Sequence, residues 1–149
     1  MSPSSVSPSS YVVRRRIAAA PQVVWDLLTD APGYPSWNPA VMSLGGRIAE
    51  GERIDMVSVV APTRTFRLQV TGVEPGRRMR WVGGLPLGLF RGVRTFTLAP
   101  RDGGTDFTME EVMSGPLSPL MNRVVPDMTD SFVLFGDGLR DAAEERARG

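Results

Sequence analysis

Pro21-Gln22-Val23-Val24-Trp25-Asp26-Leu27-Leu28-Thr29-Asp30 runs directly into Ala31-Pro32-Gly33-Tyr34-Pro35-Ser36-Trp37-Asn38-Pro39. The first part is a short amphipathic helix. Pro21 suits its first turn, and Val24, Trp25, Leu27 and Leu28 share one apolar side. The second part is no ordinary turn, with three prolines, a glycine, a tyrosine and a tryptophan in nine residues. Proline fixes φ and restricts the residue before it. Two large aromatics favour an apolar partner. The segment reads as a rigid aromatic elbow closing over something apolar.

Upstream, Tyr11 to Ala19 is β-prone and reads as a first strand. Downstream, strand candidates cover 41–48, 52–60, 65–74, 78–83, 92–99 and 106–113. They are broken at Gly45-Gly46, Glu50-Gly51, Ala61-Pro62, Pro75-Gly76, Leu85-Pro86-Leu87-Gly88 and Asp102-Gly103-Gly104. Spacing this close, with no helix between, predicts an antiparallel meander. The last third changes period. Ser118-Pro119 is a helix start. From there Leu117, Met121, Val125, Met128, Phe132, Phe135, Leu139 and Ala143 form one apolar stripe, with Pro126 expected to kink or interrupt the helix near 122–125. A long helix buries such a stripe only against another element, here the sheet, which predicts an α+β two-layer domain.

Alternation sorts the strand residues by face. Phe66, Leu68 and Val70 share a face, as do Met79 and Trp81, then Arg94, Phe96 and Leu98, then Phe107, Met109, Glu111 and Met113. A turn centred between Asp102 and Gly103 sets Leu98 opposite Phe107, Phe96 opposite Met109 and Arg94 opposite Glu111. That inner face is either a filled core or the wall of a pocket. The Arg94/Glu111 pair is either a cross-strand ion pair or a polar clamp among apolar groups. Tyr34 and Trp37 are either a packed plug or a pocket mouth.

Composition narrows the chemistry. The 149 residues suit one domain. There is no cysteine and no histidine, and all 17 basic residues are arginine. That composition argues against the usual zinc sites, Cys/His and Ser/His/Asp nucleophile systems, a Schiff base and a P-loop lysine. A net charge of +1 gives no polyanion footprint, and Arg14-Arg15-Arg16 has no aromatic platform beside it, so no nucleic-acid partner is expected. No apolar run has membrane-spanning length. Residues 1–10, rich in Ser and Pro, read as a disordered tail without signal-peptide features, and a cytoplasmic location is expected.

Four stretches together resemble one family: Ala20-Pro21 through Trp25 to Pro39; Met79-Arg80-Trp81-Val82-Gly83; Gly88-Leu89-Phe90-Arg91-Gly92 with Phe96; and Glu111-Val112-Met113-Ser114-Gly115-Pro116-Leu117 followed by Phe132 and the Leu139–Arg146 helix end. The chain resembles the START-like, Bet v 1-like (SRPBCC) superfamily, in its bacterial polyketide cyclase/dehydrase-like branch. The resemblance implies a helix-grip fold over residues 11–147. Six to seven curved antiparallel strands would wrap a long C-terminal helix, with two short helices after strand 1 and a cavity between sheet and helix. Two positions depart from many relatives: Arg94 stands where they have His, and Phe135-Gly136 where they have Met-Asn.

The leading expectation is binding of a hydrophobic or amphipathic, polyketide- or lipid-like molecule. Its contacts would be Trp37, Met56, Leu68, Met79, Trp81, Phe90, Phe96, Met109, Met113, Met128, Phe132 and Phe135, with Met121 adding to an adaptable methionine wall. The alternative is a cofactor-free cyclase or dehydratase in which Arg94 steadies enolate charge, Glu111 moves a proton and Tyr34 donates one. A further alternative is antibiotic self-resistance or carriage. No metal or cofactor is expected, and either a monomer or a homodimer fits.

Overall fold

A computed structural model describes residues 10–124 and 127–149. The expected tail lies outside the described residues except for Ser10, which opens the first strand. Val125 of the apolar stripe and Pro126, expected to kink or interrupt the helix, also lie outside them.

Seven strands form one antiparallel sheet: β1 (Ser10–Ile17), β2 (Val41–Gly46), β3 (Arg53–Ser58), β4 (Phe66–Glu74), β5 (Arg78–Leu85), β6 (Phe90–Arg101) and β7 (Gly104–Ser114). Their order is β1-β7-β6-β5-β4-β3-β2, a meander from β2 to β7 with β1 returned to the far edge. The return is made by α1 (Pro21–Leu28), a 3-10 turn at Ala31–Gly33 and α2 (Tyr34–Trp37). Register shifts at Val41/Ser43 and Thr71/Glu74 interrupt the ladders and bend the sheet. The β6–β7 pairing sets Arg94 opposite Glu111, Phe96 opposite Met109 and Leu98 opposite Phe107, as the alternation predicts.

The C-terminal stripe falls on two helices, α3 (Ser118–Val124) and α4 (Thr129–Arg148). Asp127 accepts hydrogen bonds from the backbone N–H and the hydroxyl of Thr129 (2.9 and 2.7 Å), supplying a partner at the start of α4. Phe132, Phe135, Leu139 and Ala143 are buried along α4. At one edge α4 is pinned to β1 by Arg15, whose Nε donates to Asp137 at 2.7 Å. Two glycines bring it that close. A Cβ on Gly136 would meet the Val13 side chain at 3.0 Å, and one on Gly138 would meet the Trp37 carbonyl oxygen at 2.6 Å. This is the helix-grip α+β fold: a curved sheet closed around a C-terminal helix.

The aromatic elbow packs inward. Tyr34 is fully buried, with its ring 4.8 Å from Trp37, 6.1 Å from Trp81 and 6.0 Å from Phe135, centroid to centroid. Phe96 continues the cluster at 4.6 Å from Trp81 and 5.9 Å from Phe135. Interlocked aromatics of this kind fill space at interior density. One half of the grip is therefore solid.

Candidate functional site

The strand pairings order the inner face into rows that cross the sheet. One row runs Met79–Phe96–Met109–Val13, all buried. The next runs Val70–Trp81–Arg94–Glu111–Tyr11. The row after that is Gly83–Gly92–Met113. At Gly83 the Leu68 side chain lies over the strand, where an added Cβ would meet its Cδ2 at 2.6 Å. At Gly92 an added Cβ would meet only ordinary contacts, and a cavity of about 360 Å³ opens beside it.

Met56, Leu68, Trp81, Phe90, Met113 and Met128 line this cavity, with Met121 of α3. Val60, Ala61, Arg64 and Thr65, on the connection between β3 and β4, also line it, with Ser58 at the end of β3 and Phe66, Arg67, Gly84 and Leu85. Of the residues expected to touch a ligand, those first six lie in the wall. Trp37, Met79, Phe96, Met109, Phe132 and Phe135 do not; they make the packed half described above. The space bounded by Trp81, Phe96, Met109 and Phe132 is core, and of these four only Trp81 reaches the cavity.

Arg94 and Glu111 are both in the wall. Arg94 Nε donates to Glu111 Oε1 at 2.8 Å, with the two side chains 11% and 17% exposed. A charge-assisted bond this sheltered is stronger than a surface pair. The Arg94 guanidinium also lies 4.9 Å from the Phe132 ring centre, within cation–π range. Its Nη groups make no hydrogen bond among the described residues, so donors remain for a guest. The indole Nε1 of Trp81, one row partner along, is buried and likewise unpartnered among the described residues.

Tyr34 is outside the cavity. Its hydroxyl donates to the Leu28 carbonyl at 2.7 Å. Burial pushes its phenol well above the ordinary 10.0; the Arg94 charge pulls the other way and Asp30 adds to the rise. A phenol so held closes the elbow onto α1. Among the described residues no cluster of acidic side chains is placed to hold a metal ion, and no helix is long and apolar enough to cross a membrane.

Gly83, Gly92, Arg64 and Arg67 are the site residues that strand alternation passed over. The signal for the glycines was present: both fall on inward positions of their strands. Arg64 gave none, because a loop residue's place is set by what the chain folds against; Arg67 borders the cavity while its side chain pairs with Asp55 on the outer face.

A curled antiparallel sheet closed around a terminal helix, with a cavity at one side, defines the helix-grip class of folds. The chain belongs to the polyketide cyclase/dehydrase and lipid transport family, whose model matches residues 9–144. Protein MLL2253 from Mesorhizobium loti is 25% identical, with a TM-score of 0.71 over 91% of this chain and 97% of that one. The Zhui aromatase/cyclase of a Streptomyces species shares the fold at 15% identity and TM-score 0.71, over 94% of this chain and 96% of its own. A START superfamily protein from Mycobacterium smegmatis does so at 14% and 0.61, over 93% and 97%. Among curated protein sequences, none matches the chain.

Proposed function

We propose that this protein binds an amphipathic small molecule, polyketide- or lipid-like, in the cavity beside Gly83 and Gly92. One observation carries the reading: an apolar, methionine-rich hollow with one sheltered polar pair in its wall. Ligand sites characteristically combine apolar walls with a few placed polar groups, in volumes of about 300–1,000 Å³; 360 Å³ is at the small end of that range. The methionines let the wall repack around different guests. Arg94 donates through its Nη groups to an oxygen of the guest, and Glu111 accepts from a neighbouring hydroxyl. The family's own description, which names polyketide chemistry and lipid transport, supports this class of guest.

Trp81 makes the test direct, since it is buried in the wall. Titration with a panel of polyketides, fatty acids and aromatic phenols is expected to change tryptophan emission and raise the melting temperature for at least one class. A panel that changes neither would sink the reading.

A second reading follows from the Arg94–Glu111 pair itself. In a cofactor-free cyclase or dehydratase, the Arg94 cation would stabilise enolate charge and Glu111 would take and return the proton, inside a cavity that limits water. Tyr34 has no part in it, because its hydroxyl is committed to Leu28. Under this reading Arg94→Met and Glu111→Gln abolish turnover of a polyketide chain while the fold persists. Under the first they change affinity alone. Antibiotic self-resistance or carriage uses the same binding chemistry, and a gene neighbourhood rich in polyketide enzymes would favour it.

A further inference from the structure

The charge in the cavity wall is balanced. Arg94 and Glu111 are paired at 2.8 Å, and Glu111 is the one acidic residue lining the cavity among the described residues. Of the other two arginines in the lining, Arg67 pairs with Asp55 at 3.2 Å on the outer face, and Arg64 is exposed on the connection between β3 and β4. Each member of the sheltered pair has bonding capacity left over. Arg94 spends its Nε on Glu111 Oε1, and its guanidinium is held over the Phe132 ring at 4.9 Å. Its Nη groups and Glu111 Oε2 make no hydrogen bond among the described residues. Oε2 is also the nearest atom to a Cβ built on Gly92, at 3.6 Å, so it borders the open space beside that glycine. An unused donor and an unused acceptor therefore stand side by side, with no net charge between them.

We infer that the guest carries an uncharged head in which a hydrogen-bond acceptor adjoins a donor, as in a carboxamide or a hydroxy-ketone, held against Arg94 and Glu111. This rests on the binding reading above and narrows it to one class of head. The head's carbonyl oxygen accepts from Arg94 Nη, and its N–H or O–H donates to Glu111 Oε2. The apolar body lies against Phe90, Met113 and Met121. Pairing decides against the other heads. A ketone satisfies Arg94 alone and leaves Glu111 Oε2 dry, and a sheltered acceptor without a partner costs more than a typical bond returns. A carboxylate has no donor and lies beside Glu111, where like charges repel. An ammonium has no acceptor and lies beside Arg94. Because Glu111 already balances Arg94, the site offers neither ion a net attraction to offset its lost hydration. A site that bonds both ends of a polar group rejects analogues lacking one of them.

Four probes of matched chain separate these heads: octanamide, 2-nonanone, octanoate and octylammonium, titrated calorimetrically at neutral pH. Octanamide is expected to bind about tenfold tighter than the ketone and than either ion. In Glu111→Gln the repelling charge is gone and Arg94 is unbalanced, so octanoate is expected to gain about tenfold. In Arg94→Met/Glu111→Met, which removes donor and acceptor together, octanamide is expected to lose its lead over 2-nonanone. Thermal melts show that each variant is folded at the titration temperature. Native protein that takes octanoate as tightly as octanamide overturns the uncharged head while leaving the binding reading intact. A lead of octanamide that survives the double variant overturns the pair as its place. Silence of all four probes overturns this inference, and the binding reading falls with it only if the wider panel is also silent.

Discussion

Arg94 and Glu111 face each other across β6 and β7, Nε to Oε1 at 2.8 Å, on the boundary between the solid and the hollow half of the grip. Toward α4 the Arg94 guanidinium lies over Phe132. Toward Gly92 the pair borders open space. The same two residues therefore close the core and floor the cavity.

Removing one partner leaves the other charge sheltered and unmatched. Glu111→Gln is expected to cost about 1–3 kcal/mol of stability. The double variant Arg94→Met/Glu111→Met is expected to cost less than Glu111→Gln, because a sheltered ion pair replaced by apolar groups is often close to neutral. Urea midpoints of the variants check this. A double variant less stable than either single one contradicts it.

Gly92 tests the hollow without touching the pair. A Cβ there would meet only Glu111 Oε2 at 3.6 Å and Met113 Cγ at 4.0 Å, ordinary contacts. Gly92→Val adds a β-favouring side chain to a strand. Stability is expected to hold or rise by up to about 1 kcal/mol, while guest affinity falls at least tenfold, read by the same titrations. Undiminished affinity would place the guest elsewhere.

Gly138 tests the grip. Alanine is favoured over glycine inside a helix by about 1 kcal/mol. Yet a Cβ at 138 would lie 2.6 Å from the Trp37 carbonyl oxygen and 2.8 Å from Pro39 Cδ, and α4 would have to lift off the elbow. Gly138→Ala is expected to destabilise by more than about 1 kcal/mol. Gly136→Ala, which meets the Val13 and Arg15 side chains at 3.0 and 3.3 Å, is expected to cost less. Thermal melts of the two variants decide the order.

Tyr34 sets an alkaline limit. Its phenol is raised above 10.0 chiefly by burial, so the folded state holds the neutral form. Above pH 10 the unfolded chain loses this proton and the folded chain keeps it. The stability present below pH 10 is therefore lost as pH rises toward the folded value. Tyr34→Phe is expected to lose about 1 kcal/mol at neutral pH, from the bond to Leu28, and to flatten the alkaline decline. Urea midpoints between pH 8 and pH 11.5, for both proteins, read the difference.

The sequence by itself determined the sheet, the alternation of its faces, and the pairing of Arg94 with Glu111 through the Asp102-Gly103 turn. Those depend on period and on a local hairpin, which neighbouring residues encode. It also marked the apolar stripe of α4 and, through Pro126, a kink or interruption ahead of it. Only the tertiary structure decided where the hollow lies. Gly83 and Gly92 become neighbours through strand pairing; Leu68 lies over the first, and the hollow opens beside the second. The same holds for the elbow. Tyr34 and Trp37 read equally as plug or mouth until the distances to Phe135 and Trp81 made them a plug. A cavity is space left by packing between segments far apart in the chain, and no local pattern records it.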